Sequence, residues 1–398
     1  MKFLFLLNIG FDRPGPSVHL LRSVIKSSLE RGHETHVILM DTRGDLPAFP
    51  EAFDRYPNLH VDYVEEPVGK KPGFIVRYLK EIRYAFKCRK IFMKKGSFDG
   101  VFLQSCNTAV FYLAALKILR CPVLFNVQDI FPYNLKLSGQ LPVEKISFGI
   151  LRKLQNMAYQ RSARIVTISD DMKQTLAEDG VAPDKIHVVY NWSYGDTPIT
   201  HETIAPENRK EIMSGNGKFN VVYAGNIGKM QNVEIIAQAA KLAEAHQDIR
   251  FYIIGDGVNK SHIAELTAGL ENVEMLPMQP SRFAESIYAQ ASVNIIPLSK
   301  GGIHTALPSK TATCLRTEVP IIFCIDQDSR FGQIASGYDT VRVASCDHPE
   351  ELLEKILEIK TMDSGAKTSN YDFFREYFSE NNSGKYIDIM EAMSKTNQ

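Results

Sequence analysis

The chain has 398 residues, 46 basic and 46 acidic side chains and so no formal net charge, and apolar residues make up 44%. These values exclude a disordered chain or a fibrous repeat and suit two domains of about 150–200 residues, each able to bury its own core. The zero also argues against a general nucleic-acid binder, but it hides an asymmetry. Residues 1–190 hold 27 Lys/Arg against 19 Asp/Glu, a balance of +8; residues 191–398 hold 19 against 27, a balance of −8. One half is therefore suited to an anionic surface.

The apolar opening at residues 2–8 is too short for an export signal or a membrane span, and Asp12 and Arg13 follow it. It reads as a strand at 3–8, followed by a Gly/Pro loop at 10–16 and a helix at 18–31 that Gly32 stops. Further strands are predicted at 36–40, 61–64, 100–104, 123–127 and 165–168, with helices at 73–95 and 107–119. Residues 191–217 are polar and rich in turn formers, and read as a linker between domains at 1–190 and 218–370. Alternation then restarts, with strands at 220–224, 250–254, 273–275, 293–297 and 320–324, and helices at 233–246, 260–268, 280–291 and 350–358. Strands alternating with helices predict an α/β fold, two doubly wound parallel sheets in tandem. The six cysteines form no CxxC pair and no zinc spacing, so free thiols in a reducing cytoplasm are expected.

In such sheets ligands bind beyond the carboxyl ends of the strands, so the chemistry is expected in the loops there. Gly15 and Pro16 lie in the first loop, where the following helix offers free N–H groups to an anion; a plain βα turn explains the same residues. The loop 222–232 holds Gly225, Asn226, Gly228 and Lys229 before a helix, the elements of a phosphate cradle, though without the GKS/T of a P-loop. Gly255-Asp256-Gly257 ends a strand with the freedom to pass close to a base or ribose, or simply to make a tight turn. Residues 301–313 contain His304, Pro308, Ser309, Lys310 and Thr313; Ser309 is expected to cap a helix whose N-terminus faces a diphosphate, with Lys310 adding charge. Asp326-Gln327-Asp328 matches the DxD triplet, but an exposed loop with no metal is the expectation there.

Residues 70–95 carry ten Lys/Arg against Glu81 alone, interleaved with Phe74, Ile75, Leu79, Phe86 and Phe92. This is a basic amphipathic helix, and it is expected to dock on an anionic membrane surface rather than on nucleic acid, for which no stacking platform or motif is present. Residues 141–164 form a second, weaker candidate.

Together these residues resemble the GT-B glycosyltransferases of the large retaining family 4. The most specific stretches are Ala163-Arg-Ile-Val-Thr-Ile-Ser-Asp170 and Lys185-Ile-His-Val-Val-Tyr-Asn-Trp192. The runs 127–132, 224–229 and 307–310 resemble the N-acetylfucosaminyltransferase-like branch of bacterial O-antigen and capsule assembly. The resemblance implies two Rossmann-like domains across a cleft, the second binding a UDP-sugar and the first a polyprenyl-diphosphate-linked sugar. It also implies final helices, at 371–398, that return to the first domain. In the family an Arg and a Lys contact the diphosphate; here Asn226 replaces the Arg and Lys229 is displaced in register. The family's two glutamates, separated by seven residues, fall near Thr305 and Thr313. Where the family often places a His beside the reacting sugar, this chain has Gln128-Asp129. Asp129 would orient the acceptor hydroxyl or take its proton, or else cap its loop.

The expectation is thus a peripheral, cytoplasmic-face transferase moving an N-acetylated deoxyhexose from a UDP-sugar, with no metal or other cofactor. The runner-up is a nucleotide-sugar epimerase of the same architecture, which leaves the basic helix unexplained. An NAD-dependent enzyme would need GxGxxG and a following acidic residue, which neither half supplies. A non-enzymic membrane adaptor does not account for the glycine loops.

Overall fold

The structure is a computed structural model that describes residues 1–11, 16–41, 49–66, 74–117, 120–139, 145–213, 215–362 and 370–395. The chain divides into two compact units: one of Met1–Pro132, Val143–Asn191 and Glu380–Gln398, the other of Tyr133–Pro142 and Trp192–Ser379.

The first unit is built on strands β1 (Lys2–Leu6), β2 (Glu34–Asp41), β3 (Leu59–Glu65), β4 (Gly100–Leu103), β5 (Val123–Val127), β6 (Arg164–Thr167) and β7 (Ile186–Val188). They form a parallel sheet in the order β3-β2-β1-β4-β5-β6-β7. Its helices are α1 (Pro16–Glu30), α2 (Phe74–Phe92), α3 (Ala109–Leu116), α5 (Lys145–Arg161), α6 (Asp170–Glu178) and α14 (Asn382–Lys395), whereas α4 (Tyr133–Ser138) belongs to the second unit. Central strands are buried along their whole length, as β4 and β5 are, because helices cover both faces; edge strand β3 is only partly buried. Phe5 and Phe102 meet at 5.3 Å between ring centroids inside this core. Burial of each such ring stabilises the fold by roughly 1.5–3 kcal/mol.

The second unit repeats the plan with β8 (Phe219–Asn226), β9 (Ile249–Asp256), β10 (Val273–Leu276), β11 (Val293–Pro297), β12 (Ile321–Ile325) and β13 (Val341–Ser345) in the order β10-β9-β8-β11-β12-β13. Its further helices are α7 (Glu234–Leu242), α8 (Lys260–Leu266), α9 (Ala284–Ala289), α10 (Lys310–Arg316), α11 (Arg330–Ala335), α12 (Pro349–Lys360) and α13 (Asn370–Tyr377). Val221, Phe251, Ile295 and Ile322 sit at its centre, each 0–1% exposed. In each sheet the strand order reverses once, between β1 and β4 and between β8 and β11. Those are the switch points at which open α/β sheets bind ligands.

The chain departs from the sequence expectations in several places. The return to the first unit begins at Glu380 rather than 371, because α13 packs on α10 within the second unit. Residues 133–142 also fall in the second unit although they lie within 1–190. Strand β7 is three residues long, too short for a pattern, and β13 is interrupted by Arg342. Within the linker, the only regular element among the described residues is a single turn, Pro206–Asn208; residues 210–213 are held by Ser286 of α9 and Gln290 at its end, and residues 193–199 from α10. There Arg316 donates to the Thr197 carbonyl at 2.8 Å and to Ser193 Oγ at 3.1 Å, while its own carbonyl accepts from Ile199 N–H at 2.7 Å. No described helix is long and apolar enough to cross a membrane.

Candidate functional site

In the second unit the site forms where β8 and β11 separate. β8 and β9 run side by side in a register that places Gly225 against Gly255 and Asn226 against Asp256. A Cβ on Gly255 would lie 1.9 Å from the Gly225 carbonyl oxygen, so the two strand ends close only over a glycine. A Cβ on Gly257, which has φ +157°, would lie 2.3 Å from the Ile227 carbonyl oxygen. Gly255→Ala is accordingly expected to cost about 3 kcal/mol or more of folding free energy, read from denaturant midpoints. A loss below about 1 kcal/mol would mean the strand ends are not this close.

Gly225 itself has φ +151°, and a Cβ there would lie 2.8 Å from Lys310 Nζ. That ammonium lies 3.8 Å from the centroid of the Tyr223 ring. Its Nζ is buried and has no hydrogen-bond partner among the described residues. Burial lowers its pKa to about 8. An unpaired buried ammonium is costly, and an anion over Gly225 would supply the missing partner. Lys229, the cation the sequence favoured, is exposed on the turn Lys229–Gln231 and lies along Gly139. The cation over the glycine loop is therefore Lys310.

The remaining predicted donor residues take different parts. Asn226 Nδ2 donates to Gln231 Oε1 at 2.9 Å, and Asp256 accepts from Gly257 N–H at 2.9 Å, closing its own turn. Ser309 precedes α10 with helical dihedrals and makes no side-chain cap, contrary to expectation. Pro308 accepts Thr311 N–H at 3.0 Å, and His304 and Thr313 are half-buried. Thr305, at the place of a family glutamate, is buried and donates to the Gly302 carbonyl at 3.1 Å. Asp326 of the DxD triplet accepts Gly301 N–H on both carboxylate oxygens, at 3.0 and 2.9 Å.

In the first unit Gln128 and Asp129 follow β5, one strand beyond the switch point. Gln128 is held at both ends of its amide: Asn191 Nδ2 donates to its Oε1 at 2.7 Å, and its Nε2 donates to Asn126 Oδ1 at 2.9 Å. Asn126 donates in turn to Gln104 Oε1 at 3.0 Å and accepts from the Tyr386 hydroxyl at 3.1 Å. This amide chain fixes the loop, so Gln128 acts on the position of Asp129. Asp129 is open to solvent and receives no hydrogen bond from a described residue, so the loop-capping role has no support there. The surrounding protein nevertheless desolvates its carboxyl and raises the pKa to about 6. Gly15 lies outside the described residues, and Pro16 opens α1.

Sequence reasoning missed Tyr223, Gln104, Asn126 and Tyr386. Tyr223 looks like any aromatic in a buried strand; only the demand of its hydroxyl for a partner signals more.

Two parallel-sheet α/β units, of seven and six strands, have the architecture of the GT-B fold. Residues 18–192 match the family described as Glycosyltransferase Family 4, and residues 218–361 match Glycosyl transferases group 1. The chain belongs to glycosyltransferase family 4 and is a glycosyltransferase. It is similar to the probable glycosyltransferase WbjE of Pseudomonas aeruginosa, with 25% identity over 82% of this chain and 81% of the relative. Among solved structures it resembles the sucrose-phosphate synthase of Thermosynechococcus elongatus, with TM-score 0.72 and 10% identity over 100% of both chains. It also resembles Anabaena HepE in complex with UDP and glucose, with TM-score 0.67 and 14% identity over 98% of this chain and 99% of that one.

Proposed function

We propose that the chain transfers a sugar from a UDP-sugar to a polyprenyl-diphosphate-linked acceptor in bacterial surface polysaccharide assembly, with retention at the sugar carbon. The observation that carries this reading is the unpaired Lys310 ammonium over Gly225, a prepared site for the anionic leaving group. The UDP bound in the Anabaena structure and the glycosyltransferase name of the Pseudomonas relative support the chemistry. The N-acetylated deoxyhexose remains our choice of donor sugar, on the strength of the motif resemblance. Asp129 would orient the acceptor hydroxyl or take its proton, and Lys310 would neutralise the departing UDP. No step in this scheme calls for a metal.

The acceptor's lipid and the basic half of the chain support membrane docking. Lys70 and Lys71 lie outside the described residues, but on α2 Val76, Leu79 and Phe86, with Met93 just beyond it, are 44–59% exposed. Their spacing of three, seven and seven residues puts them on one face, with Arg83 and Lys90 between them. Arg83 and Lys87 both reach the buried Glu66, at 3.1 and 2.7 Å, and serve the fold as well as the surface. The cleaner test therefore neutralises Arg89, Lys90 and Lys94 together. At about 1 kcal/mol per basic residue, affinity for anionic vesicles is expected to fall roughly 100-fold. Unchanged co-sedimentation would remove the docking surface from the account.

A further inference from the structure

We propose that Tyr223 is a positioning residue for the leaving diphosphate: its ring carries the Lys310 ammonium while its hydroxyl fixes the Asn226 carbonyl, so one side chain holds both flanks of the anion site. The inference rests on the donor site just described and goes beyond it to a residue that touches no substrate.

Tyr223 lies on β8, two residues before Gly225, and is 1% exposed. Alternation along a strand aims Tyr223 and Gly225 to one face, where Lys310 arrives from α10. The ring centroid is 3.8 Å from Nζ. The hydroxyl donates to the Asn226 carbonyl at 2.5 Å and lies 3.6 Å from where a Gly225 Cβ would stand. A second tyrosine does the same one turn of the pleat earlier: Tyr288 on α9 donates to the Ala224 carbonyl at 3.0 Å. Both carbonyls flanking Gly225 are thereby occupied by donors. A bare carbonyl beside a diphosphate would repel it.

Among the described residues the Lys310 ammonium has no hydrogen-bond partner, and the Tyr223 ring lies against it. A cation–π contact stabilises the charged form of a desolvated lysine, so the ring decides how much of Lys310 is protonated and ready. Among the described residues the titratable groups beside it are Tyr223 from β8 and Cys314 from its own helix, with Tyr288 from α9 beside those two. Burial pushes both tyrosines far up and Cys314 up to about 12. Lys310 is the member of this group that titrates near neutrality, at about 8.

The test is UDP affinity of the full chain by titration calorimetry between about pH 6.5 and pH 9, corrected for the ionisation of UDP itself by titrating the free ligand over the same range. In the wild type, affinity should fall as pH rises through about 8, because the free ammonium is being lost. Tyr223→Phe keeps the ring and should leave that midpoint in place. Tyr223→Leu should move it down by about one unit and weaken binding about fivefold at pH 8, nearing tenfold at pH 9. Tyr223→Met is the alternative should the Leu variant fail to fold. An even loss of affinity at every pH, or an unmoved midpoint in the variants lacking the ring, overturns the proposal. If instead Lys310→Ala keeps both the affinity and its pH dependence, the donor-site reading itself fails and takes the proposal with it.

Discussion

Lys310→Ala is expected to lower kcat for sugar transfer by about 100- to 1,000-fold, the effect of removing one prepared stabiliser of developing negative charge. The same change should make the ligand-free protein more stable. Burial holds this lysine's pKa at about 8 against an ordinary 10.5, so the folded state gives up a proton that the unfolded state keeps. Its penalty on folding is complete below about pH 8 and is relieved as pH rises toward 10.5. Replacement by an apolar side chain should thus raise stability at pH 7 by about 1–3 kcal/mol, measured by denaturant unfolding. Greater stability with lost turnover marks a residue kept for its function. Lys229→Ala, by contrast, removes an exposed side chain and should change kcat less than about threefold. If Lys229→Ala is the damaging change and Lys310→Ala the mild one, the assignment of the cation is wrong.

Asp129→Asn is expected to reduce kcat by about 100- to 10,000-fold if the carboxylate takes the acceptor proton. The wild-type pH profile should show the same group. Desolvation raises its pKa to about 6, and the base works only when ionised, so kcat should rise with pH through about 6 and then level. The Asn variant should lose that limb. If Asp129 only orients the acceptor hydroxyl, without needing its charge, the wild-type profile shows no limb near about 6 and the variant loses rate at every pH alike. Gln128→Ala provides a contrast: it breaks the amide chain from Asn191 to Gln104 and should lower kcat while leaving the limb near its place.

Much of this was legible in the chain. Apolar runs such as Val293–Pro297 and Ile321–Ile325 are buried throughout and announce a parallel sheet without any alignment. Gly225, Gly255 and Gly257 were visible as glycines at strand ends, where close approach demands them. Which lysine serves the loop was not visible. Lys229 is adjacent to the glycines in sequence, but its turn points it outward along Gly139; Lys310 lies 85 residues from Gly225 and arrives from α10 because β8 and β11 are neighbours in the sheet. The same holds for the amide chain: Gln104 and Asn126 meet because β4 and β5 are neighbours in the sheet, while Asn191 and Tyr386 reach them from the segment after β7 and from α14. The misjudged Ser309 cap has a local cause. Its dihedrals are already helical, whereas a capping side chain needs an extended backbone, as Ser169 has when it accepts Met172 N–H at 3.1 Å.

The central claim, a transferase that hands a sugar from UDP to a lipid-linked acceptor, is tested most directly by following UDP release from a panel of UDP-sugars with and without a polyprenyl-diphosphate-linked sugar. The account predicts release from one donor, strongly dependent on the acceptor and lost in Lys310→Ala. Release or interconversion of the UDP-sugar that proceeds equally well without acceptor would contradict it and favour an epimerase.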